Sequence, residues 1–92
     1  MHVVTLDQEK QQFSVSLEQD LYAIVKFRRE GDVFVITSTH VPSSIQGRGY
    51  GNVVMEQVLA DIASREGKVI AQCSFVAGYL ERNRQWQYLL SR

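Results

Sequence analysis

The tightest constraint on this chain is a hexapeptide, Gln46-Gly47-Arg48-Gly49-Tyr50-Gly51, set between two stretches of different periodicity. Before it, Val33-Phe34-Val35-Ile36-Thr37 reads as a strand. After it, Val54, Met55, Val58, Leu59, Ile62 and Ala63 recur at helical spacing. The backbone must turn from strand to helix within a few residues, and three glycines at alternate positions give it the freedom to do so. Such a turn leaves several backbone N–H groups unpaired at the positive end of a helix dipole. That combination binds anions, phosphates above all.

Two common phosphate loops do not match. An ATP-binding loop ends in Gly-Lys-Ser/Thr, and this one ends Gly49-Tyr50-Gly51 with no lysine. A dinucleotide fingerprint needs glycine three residues beyond Gly49, where Asn52 stands. It also wants an acidic residue at the end of the next strand, and residues 68–75 contain none.

The rest of the chain reads as support for the loop. Phe13, Val15 and Leu17 alternate with Gln12, Ser14 and Ser16, the pattern of a half-buried strand. Glu18-Gln19-Asp20 reads as a turn. Residues 21–29 form a second strand, apolar on both sides at first and so central in the sheet. Glu30-Gly31-Asp32 is a tight turn into the strand at 33–39. Short connections make these three strands an antiparallel meander, and residues 2–6 are expected to add an edge strand. Pro42, the only proline, ends or bends the third strand. The helix is expected from Gly49 to Glu66, with Gly67 as its C-cap residue. A fourth strand over 68–75 then runs parallel to 33–39 through a crossover. Residues 76–82 and 84–91 read as two short helices broken near Asn83.

The expected fold is therefore α+β, an antiparallel meander plus a strand-helix-strand crossover, in one domain over residues 1–92. Hydrophobic residues make up 45% of the chain, enough for a small core. Ten basic residues balance ten acidic ones, which argues against nonspecific nucleic-acid binding while leaving room for a local phosphate site. No apolar run approaches the ~18–20 residues of a membrane span. The opening Met-His-Val-Val-Thr-Leu-Asp does not read as a signal peptide, and the single cysteine forms no internal disulfide. The expected location is the cytoplasm, with neither metal nor membrane involved.

Gln46-x-x-Gly49-x-Gly51 at a helix start resembles the pyrophosphate-binding loop of the GNAT superfamily of N-acetyltransferases, which use acetyl-CoA. Its neighbours sharpen the likeness to the short, single-domain members of that superfamily. They are Ser38-Thr39-His40-Val41-Pro42, Cys73-Ser74-Phe75 and Arg82-Asn83-Arg84-Gln85-Trp86, in the order and spacing of those proteins over residues 20–90. The resemblance implies a reduced GNAT-like fold with CoA held between two splayed parallel strands, here 33–39 and 68–74. It also implies a primary amine as acceptor. Two positions depart from the pattern. Ser38 stands where those proteins carry histidine, with His40 two places later, and Arg84 replaces a proline.

For the cofactor, Gln46, Gly47, Arg48, Gly49, Tyr50, Gly51 and Asn52 are expected around the pyrophosphate. The resemblance adds Thr39 and Val41 as backbone partners of the pantetheine arm. For chemistry, the candidates are Cys73, His40 and Ser38. Cys73 is either a nucleophile for the acetyl group or a small residue shaping the pocket. His40 has the near-neutral reference pKa of a base for the incoming ammonium, against the plainer reading of a turn histidine. Tyr79 is a candidate acid for the leaving thiolate, but reads better as a packing residue, and His2 as a terminal residue without a role. Beside the acetyltransferase stand two other readings, a CoA-binding module without robust catalysis and a plain interaction domain. The acceptor is not legible. So short a chain leaves room for a second copy, as a homodimer, or for another protein to complete the acceptor site.

Overall fold

The structure is a computed structural model and describes residues 2–91. Five strands form one sheet in the order β1-β2-β3-β4-β5. They are β1 (Val4–Asp7), β2 (Gln12–Ser16), β3 (Tyr22–Glu30), β4 (Val33–His40) and β5 (Lys68–Ala71). The first four are antiparallel neighbours, and β5 pairs parallel to β4. The meander, the edge strand and the parallel return all follow the sequence reading, and β3 is indeed the middle strand.

Helix α1 (Tyr50–Ser64) connects β4 to β5. Its stripe of Val54, Met55, Val58, Leu59 and Ile62 is completely buried. The stripe belongs to one core with Phe13, Val15, Ala23, Val25, Phe27, Phe34, Ile36 and Val69 of the sheet. Each side chain so buried is worth ~1.5–3 kcal/mol. Phe13, Phe27 and Phe34 meet at centroid distances of 5.0–5.6 Å, in tilted and edge-on arrangements that suit aromatic quadrupoles.

Three sequence expectations need correction. The fourth strand stops at Ala71, four residues short of Phe75, and α2 (Ser74–Arg82) begins there instead. The N–H groups of Gln72 and Cys73 both turn onto the Ile36 carbonyl, at 3.0 and 3.1 Å, so the chain leaves the sheet at that point. The last segment is a 3-10 helix over Arg84–Leu89, followed by Leu90 bridging to Val69.

The third correction concerns the end of α1. The left-handed residue there is Glu66, at φ 58°, rather than Gly67. Glu66 N–H reaches the Ala63 carbonyl and Gly67 N–H the Ile62 carbonyl, the paired bonds of a Schellman end. Gly67 is needed for space. A Cβ there would lie 3.0 Å from Phe34, 3.1 Å from Ile62 and 3.2 Å from the Asp32 carbonyl oxygen.

These two neighbours are predicted to respond in opposite ways. Gly67→Ala crowds a closed core and should cost ~1–3 kcal/mol. Glu66→Gly relieves a left-handed L-residue and should gain up to ~1 kcal/mol. Urea unfolding midpoints of the two variants check both signs, and a stabilising Gly67→Ala would contradict the packing.

Candidate functional site

Strand β4 carries one residue too many for its partner. Lys26 faces Ser38, but the next pair is Phe27 with Ile36, so Thr37 is an extra residue. Its hydroxyl donates to the Lys26 carbonyl at 3.3 Å. A bulge of this kind exchanges the faces of the residues that follow. Phe34 and Ile36 face the core before it. After it, Thr39 takes that side, opposite buried Val25, while Ser38 and His40 lie opposite Lys26 and Ile24 on the other face.

At the same place β4 loses its outer neighbour. The ladder to β5 ends at Ile36 opposite Ala71. Beyond it, residues 37–40 keep β3 on one side and an open edge on the other. A cleft of about 250 Å³ lies beside that edge, lined by Thr39, Val41, Gln46, Gly51 and Phe75. Cys73, half-buried, directs Sγ to the Thr39 hydroxyl at 3.9 Å. The two parallel strands thus part where the sequence reading expected, although the second is shorter than expected and Cys73 caps α2.

The glycine loop closes the cleft's other end. A 3-10 turn at Ser43–Ile45 buries Ile45. Gln46 Nε2 then donates to the Val41 carbonyl at 2.8 Å, so this side chain fastens the turn. Gly47 and Gly49 both adopt φ 84°, and Gly49 is the N-cap residue of α1. No side chain caps that helix, and its first turn holds no acidic residue. Among the described residues, the N–H groups of 47–51 donate to no protein acceptor at hydrogen-bond geometry. The Asn52 N–H turns back to Gly49 at 3.3 Å. Gly51 has a different reason to be glycine. A Cβ there would lie 2.6 Å from the end of the Phe75 ring.

Sequence reasoning missed Glu18. Read as a turn residue, it accepts from Arg48 Nη1 at 3.0 Å and from the Tyr50 hydroxyl. Its hydrogen bond is the largest cause raising the Tyr50 pKa above the ordinary tyrosine value. The contact ties the β2–β3 turn to the glycine loop across thirty positions of sequence. His2, set aside in the sequence reading, donates from Nδ1 to the Ser16 carbonyl (2.9 Å) and lies edge-on to Tyr50. Phe75 was also missed as a lining residue, because its place on the Gly51 surface depends on where β5 ends.

The candidate chemical residues do not converge. Ser38 and His40 line a hollow of about 460 Å³ with Gln12, Ile24 and Lys26, on the side of the sheet away from the Thr39 side chain. Cys73 meets Thr39 on the cleft side. Tyr79 is 3% exposed and sits in the core. Burial raises its pKa, partly offset by the Trp86 indole. That contact falls short of good geometry, since Trp86 Nε1 is buried without a hydrogen-bond partner. Among the described residues, no group of three or more His, Cys, Asp or Glu side chains gathers to hold a metal. No described helix is long and apolar enough to cross a membrane.

A strand bulge, an open parallel edge and a glycine loop at a helix start thus meet around one cleft. The chain belongs to the GCN5-related N-acetyltransferase family, whose model matches residues 12–89. Its fold is similar to the solution structure of a GCN5-like protein from Staphylococcus aureus, with a TM-score of 0.70 at 22% identity, covering 97% of this chain and 87% of that one. No curated protein matches the chain.

Raised tyrosine pKa values have a consequence at alkaline pH. Above about pH 10 the unfolded chain ionises tyrosines that the fold keeps protonated, so stability falls as pH rises. Melting temperatures measured from pH 8 to 11 should decline above pH 10, and less steeply in Tyr79→Phe, which removes the buried phenol but leaves Tyr50. Equal slopes for the two proteins would show that Tyr79 does not contribute.

Proposed function

We propose that this protein is a small acetyl-CoA-dependent N-acetyltransferase acting on a primary amine. The observation that carries the reading is the run of five undirected N–H groups at residues 47–51, beside a cleft where β4 has an open edge. Family membership supports the reaction class. The residues fit the cofactor. Gly47 and Gly49 hold left-handed conformations and their N–H groups have no protein acceptor among the described residues, and the bare start of α1 adds its dipole to attract a pyrophosphate. The open edge at Thr39 and Val41 accepts an extended amide chain as an added strand. The Val41 carbonyl already holds Gln46, which leaves its N–H for the arm. Arg48 contributes charge only as far as Glu18 shares it.

In this reading the thioester lies near Thr39 and Cys73, and the amine reaches it past Ser38 and His40. The amine nitrogen attacks the carbonyl carbon directly. A C–N bond forms and the C–S bond breaks; the nitrogen loses two protons in all, one as the ammonium is neutralised and one that passes to the leaving sulfur. His40 accepts the proton shed by the ammonium, and Ser38 lies beside it on the same face. Most of the rate comes from holding the two reactants together. Cys73 is read as a neighbour of the cleft rather than a nucleophile: its Sγ meets the Thr39 hydroxyl, and no imidazole or carboxylate is among the described residues that line the cleft. A second reading, CoA binding without transfer, draws on the separation of Cys73 from Ser38 and His40. We place the protein in the cytoplasm, where its single thiol stays reduced.

Thermal-shift titration tests the cofactor. Acetyl-CoA at a hundredfold over its dissociation constant should stabilise by ~2.7 kcal/mol, which for a chain of this size raises Tm by ~10 °C or more. Gly49→Val should abolish the shift, since valine resists φ 84° and shields the donors. Undiminished affinity in that variant would refute the loop assignment.

Cys73→Ala separates the chemical roles. Direct attack predicts that acetyl transfer persists within about tenfold. Loss of transfer with CoA affinity intact would make Cys73 the nucleophile. CoA binding by the unaltered protein without transfer to any amine would favour the second reading.

A further inference from the structure

The hollow behind β4 carries information on the acceptor that neither the family nor the cofactor supplies. It is lined by Gln12, Ile24, Lys26, Ser38 and His40, and contains no carboxylate. Lys26 is exposed and makes no ion pair among the described residues. Its register fixes its place. Gln12, Lys26 and Ser38 lie side by side on β2, β3 and β4, and the next row holds Ser14, Ile24 and His40. The only acid in these rows is Asp7, on β1 beyond Gln12, where its Oδ1 accepts the Lys10 backbone N–H. Arg28, two residues along the same face, is already paired with Glu30 at 3.0 Å.

A site for polyamines or basic peptides needs carboxylates to receive several positive charges. This hollow presents the opposite charge. We propose that it receives a primary amine that also carries an anionic group, a carboxylate or a phosphate, with the anion on Lys26 and donor support from Gln12. The amine end then points past Ser38 and His40 to the gap between β4 and β5. Lys26 stands one strand from that gap, so amine and anion are separated by ~5–10 Å, one to two strand spacings. An ω-amino acid or an amino-sugar phosphate has that reach, and Ile24 offers apolar contact to the carbon skeleton between. The residual charge of the hollow thus selects among amines before any reaction occurs.

The identification of the hollow as an acceptor site rests on the acetyltransferase reading, but binding to it does not. The test is therefore an amide NMR titration of the whole protein with 6-aminohexanoate, glucosamine 6-phosphate, hexylamine and spermidine. The expected result is movement of the Lys26, Ser38 and His40 signals with at least one of the two anionic amines. Its affinity should be about tenfold or more above those of hexylamine and spermidine. Comparing the two anionic probes tells carboxylate from phosphate. Lys26→Glu should reverse the preference toward spermidine, and Lys26→Met should level it, both with the acetyl-CoA thermal shift unchanged. Tighter or equal binding of hexylamine or spermidine by the unaltered protein would overturn the proposal, as would an unchanged preference in Lys26→Glu. Selective binding in the hollow of a protein that ignores acetyl-CoA would remove the acetyltransferase reading and leave this one standing.

Discussion

One extra residue in β4 decides which side chains face the cleft and which face the hollow. Thr37 has no place in the pairing with β3, so the residues beyond it exchange faces. Without it, Ser38 and His40 would continue the inward side of Phe34 and Ile36, and Thr39 would point away from α1. With it, Thr39 and Val41 turn into the cleft while Ser38 and His40 look out on the hollow. The parallel ladder ends at the same level, at Ile36 and Ala71. Bulge and splay together place two different surfaces on either side of a single strand, a few ångströms apart.

The cleft side is organised by backbone and the hollow by side chains. Glycine conformations and a bare helix start leave N–H groups without protein acceptors among the described residues, without spending a single charged residue. The charge of Arg48 is held by Glu18, which also receives the Tyr50 hydroxyl and so braces the loop from the β2–β3 turn. On the far side, Lys26, Gln12 and His40 line the hollow and can change without disturbing the fold, because they are not part of the core.

Much of the fold was legible because it follows local periodicity. Alternation marked β2, helical spacing marked the α1 stripe, and the tight turn at Gly31 marked the β3–β4 hairpin. The glycine loop was legible as a strand-to-helix turn because the conformations of Gly47 and Gly49 are ones that other residues resist. What escaped was set by tertiary contacts. Gln72-Cys73-Ser74-Phe75 has the composition of a strand end, yet the bond of two N–H groups to one Ile36 carbonyl takes it out of the sheet. Gly67 looked like a cap because it follows a helix, whereas Phe34 and Asp32, distant in sequence, are what exclude a side chain there. A bulge has no signature in the run Ile36-Thr37-Ser38, so the face of Ser38 relative to Cys73 was not readable. Glu18 and Lys26 read as a turn acid and a strand cation until their neighbours were known.

The parallel pair also bears on the order in which the molecule can assemble. Strands β1 to β4 join through short turns, so each pairing closes a small loop. The pairing of Val33–Ile36 with Lys68–Ala71 spans the whole of α1 and carries a larger closure entropy. The cleft exists only once that distant pairing is made. The meander is thus expected to collect its local contacts first, and the binding surface to be completed last. A nascent chain would then lack a formed cleft until Lys68–Ala71 had emerged and docked on β4.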